Sequence, residues 1–155
     1  MTEVERITEQ YDRALQGGAW HGDSVWEILR DIPAEQAFWR PLPAVHTIWE
    51  LVMHMAFWET EVCRRLQKLS LPPEETMNFP TLPEPTSENW QHALDTLRNS
   101  NVEFRRKLLE LHDAELDRPL SRPTYTVYVE VHGVIQHHLY HAGQIAMLRK
   151  SLAAD

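Results

Sequence analysis

Cysteine is nearly missing from this sequence, which has Cys63 and no other among its 155 residues. A single thiol excludes an internal disulfide framework and any zinc site that is built from several cysteines. No stretch approaches the roughly 18–20 apolar residues that a membrane-spanning helix needs. The first residues, MTEVERITEQYDR, are acidic and polar, unlike a signal or transit peptide. We therefore expect a cytoplasmic protein with no membrane partner.

Positive charge is also in short supply. The chain has 15 Lys and Arg residues against 23 Asp and Glu, which gives a formal net charge of −8. Because nucleic-acid binding depends on basic side chains that neutralise phosphates, this balance argues against a nucleic-acid partner. A length of 155 residues suits one domain and is enough to bury a core. The composition therefore predicts a single acidic domain over residues 1–155.

Glycine is scarce, and the five glycines and ten prolines separate long stretches with few of either. Both residues are tolerated at helix ends and disfavoured inside helices, so this distribution is typical of a helical protein. Apolar spacing and capping residues predict helices over residues 2–16, 23–30, 47–68, 88–111 and 126–152. Residues 125–131 (YTVYVEV) alternate like a strand. We find no second strand to pair with them, and we therefore place them in the last helix.

Four main helices and a long crossover at residues 69–85, which holds five prolines, predict an all-α four-helix bundle. In helix 47–68, Thr47 and Glu50 match a capping box. The apolar stripe of this helix predicts that its charged side chains lie mostly outside: Glu59, Glu61, Arg64, Arg65 and Lys68. In helix 88–111 we expect an approximate buried side made of Leu94, Leu97, Val102, Phe104, Leu108 and Leu109.

Two of the nine histidines stand out by their spacing. His137 and His141 are four residues apart in the last predicted helix and therefore lie one turn apart on one face. Val134 and Leu148 share that face, so both imidazoles occupy the stripe where a bundle normally places leucine. Burying two histidines without partners is costly. Metal coordination, a carboxylate partner or an exposed cleft would each relieve that cost.

His54 repeats this pattern on helix 47–68, between Leu51 and Trp58. A third imidazole from a facing helix would complete three nitrogen ligands and leave coordination positions open, as in catalytic zinc sites. Imidazole also suits nickel, iron and copper, so spacing does not fix the metal. The alternative to metal binding is that the three histidines are simply packed in the core or solvated. Cys63 lies nine residues after His54 and faces the opposite way, which predicts an inert thiol rather than a ligand.

Several neighbours are candidates for supporting roles around these histidines. Glu50 lies one turn before His54 and is either a capping residue, a hydrogen-bond partner of a ligand, or a general base. Gln144 is a candidate partner for a ligating imidazole, and Tyr140 is a candidate near the same site. Trp58 lies one turn from His54 and is a candidate wall of a pocket.

Three segments together resemble the DinB-like superfamily of bacterial four-helix-bundle metalloproteins: AWHGDSVWEIL, PLPAVHTIWELVMHMAFWE and HGVIQHHLYHAGQIAMLRK. The closing H-x-x-x-H-x-G-Q-I element and the earlier H-T-I-W-E-L segment, followed by a further histidine, carry the resemblance. It implies a bundle in which three histidines bind a divalent metal, often zinc or nickel. Matched by position, the ligands fall on His54, His137 and His141, although a second histidine, His138, follows the first of the closing pair. Homodimers are common in the superfamily.

The resemblance also implies a range of functions. Some members look like metal-dependent transferases that join a low-molecular-weight thiol to an electrophile, and this is our leading hypothesis. One alternative is a hydrolase that uses metal-bound water, with Glu50 as its general base. Another is a non-catalytic metal-binding module for stress response, in which four protein ligands would close the site. The crossover at residues 69–85 would either cover the site as a lid or join a dimer.

Overall fold

A computed structural model describes residues 1–69 and 77–152 of the chain. These residues form a mostly helical fold, which confirms the predicted all-α bundle. Its elements are α1 (Glu3–Gln16), α2 (Val25–Leu29), α3 (Ala34–Phe38), α4 (Ile48–Leu66), α5 (Ser87–Glu110), a 3-10 turn (Asp113–Glu115), β1 (Pro119–Arg122), β2 (Tyr125–Thr126) and α6 (Val127–Leu152). Within the described ranges, no helix combines the length and the apolar character that crossing a membrane requires.

The helix starts follow from local capping. Thr47 accepts a hydrogen bond from the Glu50 backbone N–H at 3.1 Å, and Glu50 accepts one from the Thr47 backbone N–H at 2.8 Å. This reciprocal pair is the predicted capping box, and it fixes the start of α4. Thr2 begins α1 in the same way. The predicted start of α5 was close, since its cap is Thr86, whose side chain accepts from the Asn89 backbone N–H.

The prediction that residues 125–131 have no strand partner was wrong at their first two positions. Tyr125–Thr126 pairs antiparallel with Pro119–Arg122 in a small hairpin. The Val127 backbone N–H donates to the Arg118 carbonyl at 2.9 Å, so α6 begins directly from the hairpin. The remaining residues of the alternating segment are helical, as predicted.

The long helices α1, α4, α5 and α6 enclose the core. Tyr11, Trp49, Phe104 and Ile145 are among its fully buried side chains. The α5 prediction was right for Leu97, Phe104 and Leu108, which are buried, and Leu94 is half-buried against them. It was wrong for two residues on the opposite face, Val102 and Leu109, whose side chains are 65% and 54% exposed.

Two charged residues of α4 also lie elsewhere than predicted. Glu59 and Glu61 were expected outside, yet both are buried. Glu61 accepts hydrogen bonds from Arg64 and Arg65, and Arg65 also bonds the buried Glu130 of α6 at 3.0 Å. Because α4 is covered by α5 on one side and α6 on another, carboxylates with partners take positions that apolar residues usually fill.

Candidate metal centre

The structure brings His54 of α4 together with His137 and His141 of α6. The Nε2 atom of His137 lies 3.0 Å from the Nε2 atom of His54 and 3.0 Å from that of His141. His54 and His141 are buried, and His137 is half-buried. One ligand atom from each of the three residues lies within 4.8 Å of the others, so the histidine cluster could hold a metal ion.

Two of the three nitrogen separations match those between ligands of one cation. Two nitrogens that each lie 2.0–2.1 Å from a metal, at angles between octahedral and tetrahedral values, are about 2.9–3.4 Å apart. The observed separations of 3.0 Å fall in that range. The His54–His137 and His137–His141 pairs are therefore spaced as ligands of one ion, and the three ligand atoms all lie within 4.8 Å of one another.

Two side-chain amide oxygens fix the orientation of the His54 and His141 imidazoles. The Nδ1 atom of His54 lies 2.6 Å from the Oδ1 atom of Asn78, and that of His141 lies 2.6 Å from the Oε1 atom of Gln144. Because an amide oxygen only accepts hydrogen bonds, each Nδ1 carries the proton and donates it. Each Nε2 then presents its lone pair to the centre of the cluster, which is the tautomer that a metal ligand needs.

Burial also favours the neutral form of these rings. Burial, with the charge of His141 as the second cause, lowers the pKa of His54 from 6.5 to about 4. Burial and the charges of His141 and His54 together lower the pKa of His137 to about 3. The pKa of His141 is lowered as well, mainly by burial. All three imidazoles are therefore neutral at neutral pH, as metal coordination requires.

Aromatic rings surround His54 on two sides. The Phe79 ring stacks on His54 with a centroid distance of 4.4 Å, and on its other face it stacks on His46 at 4.0 Å. The Trp58 ring stands nearly perpendicular to that of His54, with a centroid distance of 6.5 Å. Tyr140 lies with its ring 5.1 Å from that of His141, and it is largely exposed.

Asn78 and Phe79 are the site residues that sequence reasoning missed. They belong to the predicted crossover at residues 69–85, of which residues 70–76 lie outside the described residues. From the described part of that crossover, Asn78 and Phe79 contact His54. The contact joins residues 24 positions apart in the chain, and no local pattern signals it.

A family model described as the DinB superfamily matches residues 17–145. The chain belongs to the DinB superfamily. The matched range contains His54, His137 and His141, so the resemblance read from the sequence motifs is confirmed over most of the chain. Comparisons with curated proteins and with solved structures found no match.

In this DinB-superfamily chain, Glu50 is held away from the role of a general base. Its Oε1 atom accepts from Arg40 at 2.6 Å, and its Oε2 atom accepts from the Thr47 backbone at 2.8 Å and lies 3.4 Å from His46. Burial raises the pKa of Glu50, but these hydrogen bonds and the Arg40 charge outweigh it and hold that pKa below its ordinary value. Both carboxylate oxygens are therefore occupied, which agrees with the capping interpretation.

His138 lies outside the histidine cluster, although it follows His137 directly. Its ring is fully buried, and its Nε2 atom lies 3.1 Å from the Oε1 atom of Glu59. The Glu59 carboxylate also accepts from the Tyr11 hydroxyl, from the Ser100 hydroxyl at 2.5 Å and from the Asn101 amide at 2.7 Å. We call these five residues the Glu59 network. His138 therefore links α6 to α4 through Glu59 and faces away from the histidine cluster.

The sole thiol and the remaining histidines are also separate from the cluster. Cys63 is buried, and burial, with the charge of Glu59, raises its pKa to about 12. A buried thiol with a raised pKa carries little of the nucleophilic thiolate at neutral pH. His46 stacks on the Phe79 ring that also stacks on His54, and His132 packs on Tyr128 in the first turns of α6.

Proposed function

We propose that His54, His137 and His141 bind one divalent cation, zinc or nickel, and that the protein is a metal-dependent transferase joining a low-molecular-weight thiol to an electrophilic small molecule. The observation that carries the proposal is the position of the His137 Nε2 atom, which lies 3.0 Å from the Nε2 atom of His54 and 3.0 Å from that of His141. Without a cation, the lone pairs of His54 and His141 would face the same small space. A cation held by His54, His137 and His141 would bond these lone pairs and remove the repulsion between them.

The number of ligands supports an active centre over a closed one. Among the residues that the structure describes, the cluster has three candidate ligands and no fourth His, Cys, Asp or Glu. Structural zinc sites are closed by four protein ligands, whereas catalytic sites keep a position for water or substrate. Three ligands therefore favour an enzyme over a non-catalytic metal-binding module.

A divalent cation with an open position lowers the pKa of a thiol that binds it, and the resulting thiolate is the nucleophilic form. The chain cannot supply this sulfur, because Cys63 is buried with its pKa raised to about 12. The sulfur must therefore come from a cosubstrate. Its S–H proton passes to solvent, and an S–C bond forms as the leaving group departs from carbon with the bonding electron pair.

The protein's own residues orient this chemistry. Asn78 and Gln144 hold the outer imidazoles by their Nδ1–H groups, so each Nε2 keeps a fixed direction. Phe79 and Trp58 place aromatic surface beside His54. A thiolate near such surface is less hydrated and more reactive than in bulk water.

The surrounding carboxylates favour the transferase over the hydrolase. A metal-dependent hydrolase usually has a carboxylate general base within hydrogen-bond reach of the attacking water. On α4, Glu50 is occupied by Arg40 and Thr47, and Glu59 is enclosed in its own network. A thiol needs no such base once its pKa is lowered. The hydrolase remains the second candidate, since a cation at this cluster would also lower the pKa of water.

The direct test measures thiol transfer by the protein loaded with zinc or nickel. Bacillithiol, mycothiol and glutathione are each incubated with monochlorobimane, whose fluorescence rises when a thioether forms. We expect a rate above that of the metal-free protein with at least one thiol, and loss of that rate in His141→Ala. Equal rates with and without metal for every thiol would contradict the transferase. Turnover of esters or amides without thiol would instead favour the hydrolase.

A further inference from the structure

An apolar cleft opens beside the histidine cluster, between the loop that follows α3 and the C-terminal half of α6. Its volume is about 400 Å³, within the range typical of small-molecule sites. Leu42 and Val45 line it from the loop, and Met147 and Leu148 line it from α6. Leu42 and Met147 are 63% and 74% exposed, so both walls present apolar surface to solvent.

Two helices connect this cleft to the cluster. Gln144 lines the cleft and also accepts the hydrogen bond from His141, and Leu148 lies one turn further along α6. Leu51, another lining residue, lies three positions before His54 on α4. The two helices run antiparallel, since His54 meets His141 at one level and Arg65 meets Glu130 at another. The cleft therefore adjoins the cluster at one end of the bundle.

The chemistry of the lining selects a neutral ligand. Among the residues that the structure describes, those lining the cleft include no Asp, Glu, Lys or Arg. Within the same described set, His46 is the one titratable side chain of the lining, and its ring is stacked on Phe79 with its Nδ1 atom 3.4 Å from Glu50. A charged ligand would lose hydration in this cleft without gaining a partner of opposite charge. A neutral apolar ligand would gain from the burial of its surface against that of the cleft.

We propose that this cleft binds the apolar body of a neutral electrophilic substrate. Gln144 lies between the bound substrate and the metal centre, because it lines the cleft and bonds His141. The inference rests on the proposed transferase and adds the class of its second substrate. The reaction joins the thiol sulfur to the substrate's electrophilic carbon, and the leaving group departs with its electron pair as the S–H proton passes to solvent. Substrate apolarity then determines binding, whereas the metal centre determines reactivity.

A binding experiment tests the cleft without any catalysis. The neutral dye N-phenylnaphthylamine, which fluoresces in apolar sites, is titrated into the full chain. In the double variant Leu42→Glu/Met147→Glu, two charges face the cleft, and we expect about tenfold weaker binding. The control is Val102→Glu/Leu109→Glu, which makes the same change at two exposed apolar positions of α5. Equal affinity in the two double variants would overturn the inference.

A kinetic experiment separates this inference from the proposed function. The kcat/KM for monochlorobimane is compared with that for iodoacetamide, which is too small and polar to depend on the cleft. We expect Leu42→Glu/Met147→Glu to lower the first about tenfold more than the second. Transfer to both electrophiles with an unchanged ratio would refute the cleft and leave the transferase. Dye binding lost in this variant, with no transfer to either electrophile in the wild type, would refute the transferase and leave a ligand cleft.

Sedimentation of the same variants provides a further check. Were the cleft an interface between two copies of the chain, the wild type would be dimeric and Leu42→Glu/Met147→Glu monomeric, with dye affinity following protein concentration. That result would overturn the small-molecule assignment. A single sedimenting species common to the wild type and to both double variants supports it.

Discussion

Removing the carboxylate of Glu59 should destabilise the fold more than any exposed substitution. The carboxylate is fully buried and accepts hydrogen bonds from Tyr11, Ser100 and Asn101, and it pairs with His138. In Glu59→Ala these donors lose their acceptor inside the core. Breaking a buried pair by removing one partner costs about 3–5 kcal/mol. For a domain of this size, that corresponds to a fall in Tm of about 6–20 °C.

The assay is urea unfolding followed by far-UV circular dichroism. Thr60→Ala is the matched control, since Thr60 is the next residue of α4 and is exposed, and we expect it to change stability by less than about 0.5 kcal/mol. Glu59→Gln keeps the shape of the side chain and should cost less than Glu59→Ala, because the two hydroxyl groups can reorient to the amide. A loss below about 1 kcal/mol in Glu59→Ala would refute the structural role of the Glu59 network.

Three further predictions concern the metal centre and the thiol. Replacing Gln144 or Asn78 by Leu should weaken metal binding about 10–100-fold in a chelator competition, because each holds a ligating ring; unchanged affinity in both would contradict that role. The metal-free protein should lose stability as the pH falls from 6.5 towards 4, because the unfolded chain takes up protons that His54 and His137, with pKa values of about 4 and about 3, do not accept in the fold. Measuring Tm against pH in EDTA checks this. His137→Gln should reduce the dependence of Tm on pH, and a Tm that rises on acidification would contradict the prediction. Cys63 should resist alkylation by iodoacetamide in the folded protein and react after denaturation, as measured by mass spectrometry; modification of the native protein would show that the thiol is accessible.

Much of the fold and the centre of the site could be predicted from local patterns. The Thr47 and Glu50 capping box fixes the start of α4 whatever packs around it. On α6, the spacing of four residues places His137 and His141 on one face, because the helical period determines it. The apolar neighbours of His54 likewise identify the inward face of α4. Such features depend on residues within one or two turns of each other.

Features that depend on distant residues could not be predicted in this way. Glu59 is a charged residue on a helix, and it is buried only because donors from α1, α5 and α6 converge on it. Asn78 reaches His54 from a crossover with no hydrophobic period. The partner strand Pro119–Arg122 has few β-forming residues, so its sequence gives no strand signal. In each case the bundle, rather than the local sequence, supplies the partner.

The central claim is that three imidazoles from two helices bind one cation, and elemental analysis tests it most directly. The wild type, His141→Ala and the exposed control His92→Ala are loaded with zinc or nickel, freed of excess metal and analysed for metal per chain. We predict about one ion per chain in the wild type and in His92→Ala, and a small fraction of that in His141→Ala. A full equivalent retained by His141→Ala, with its circular dichroism unchanged, would contradict the assignment.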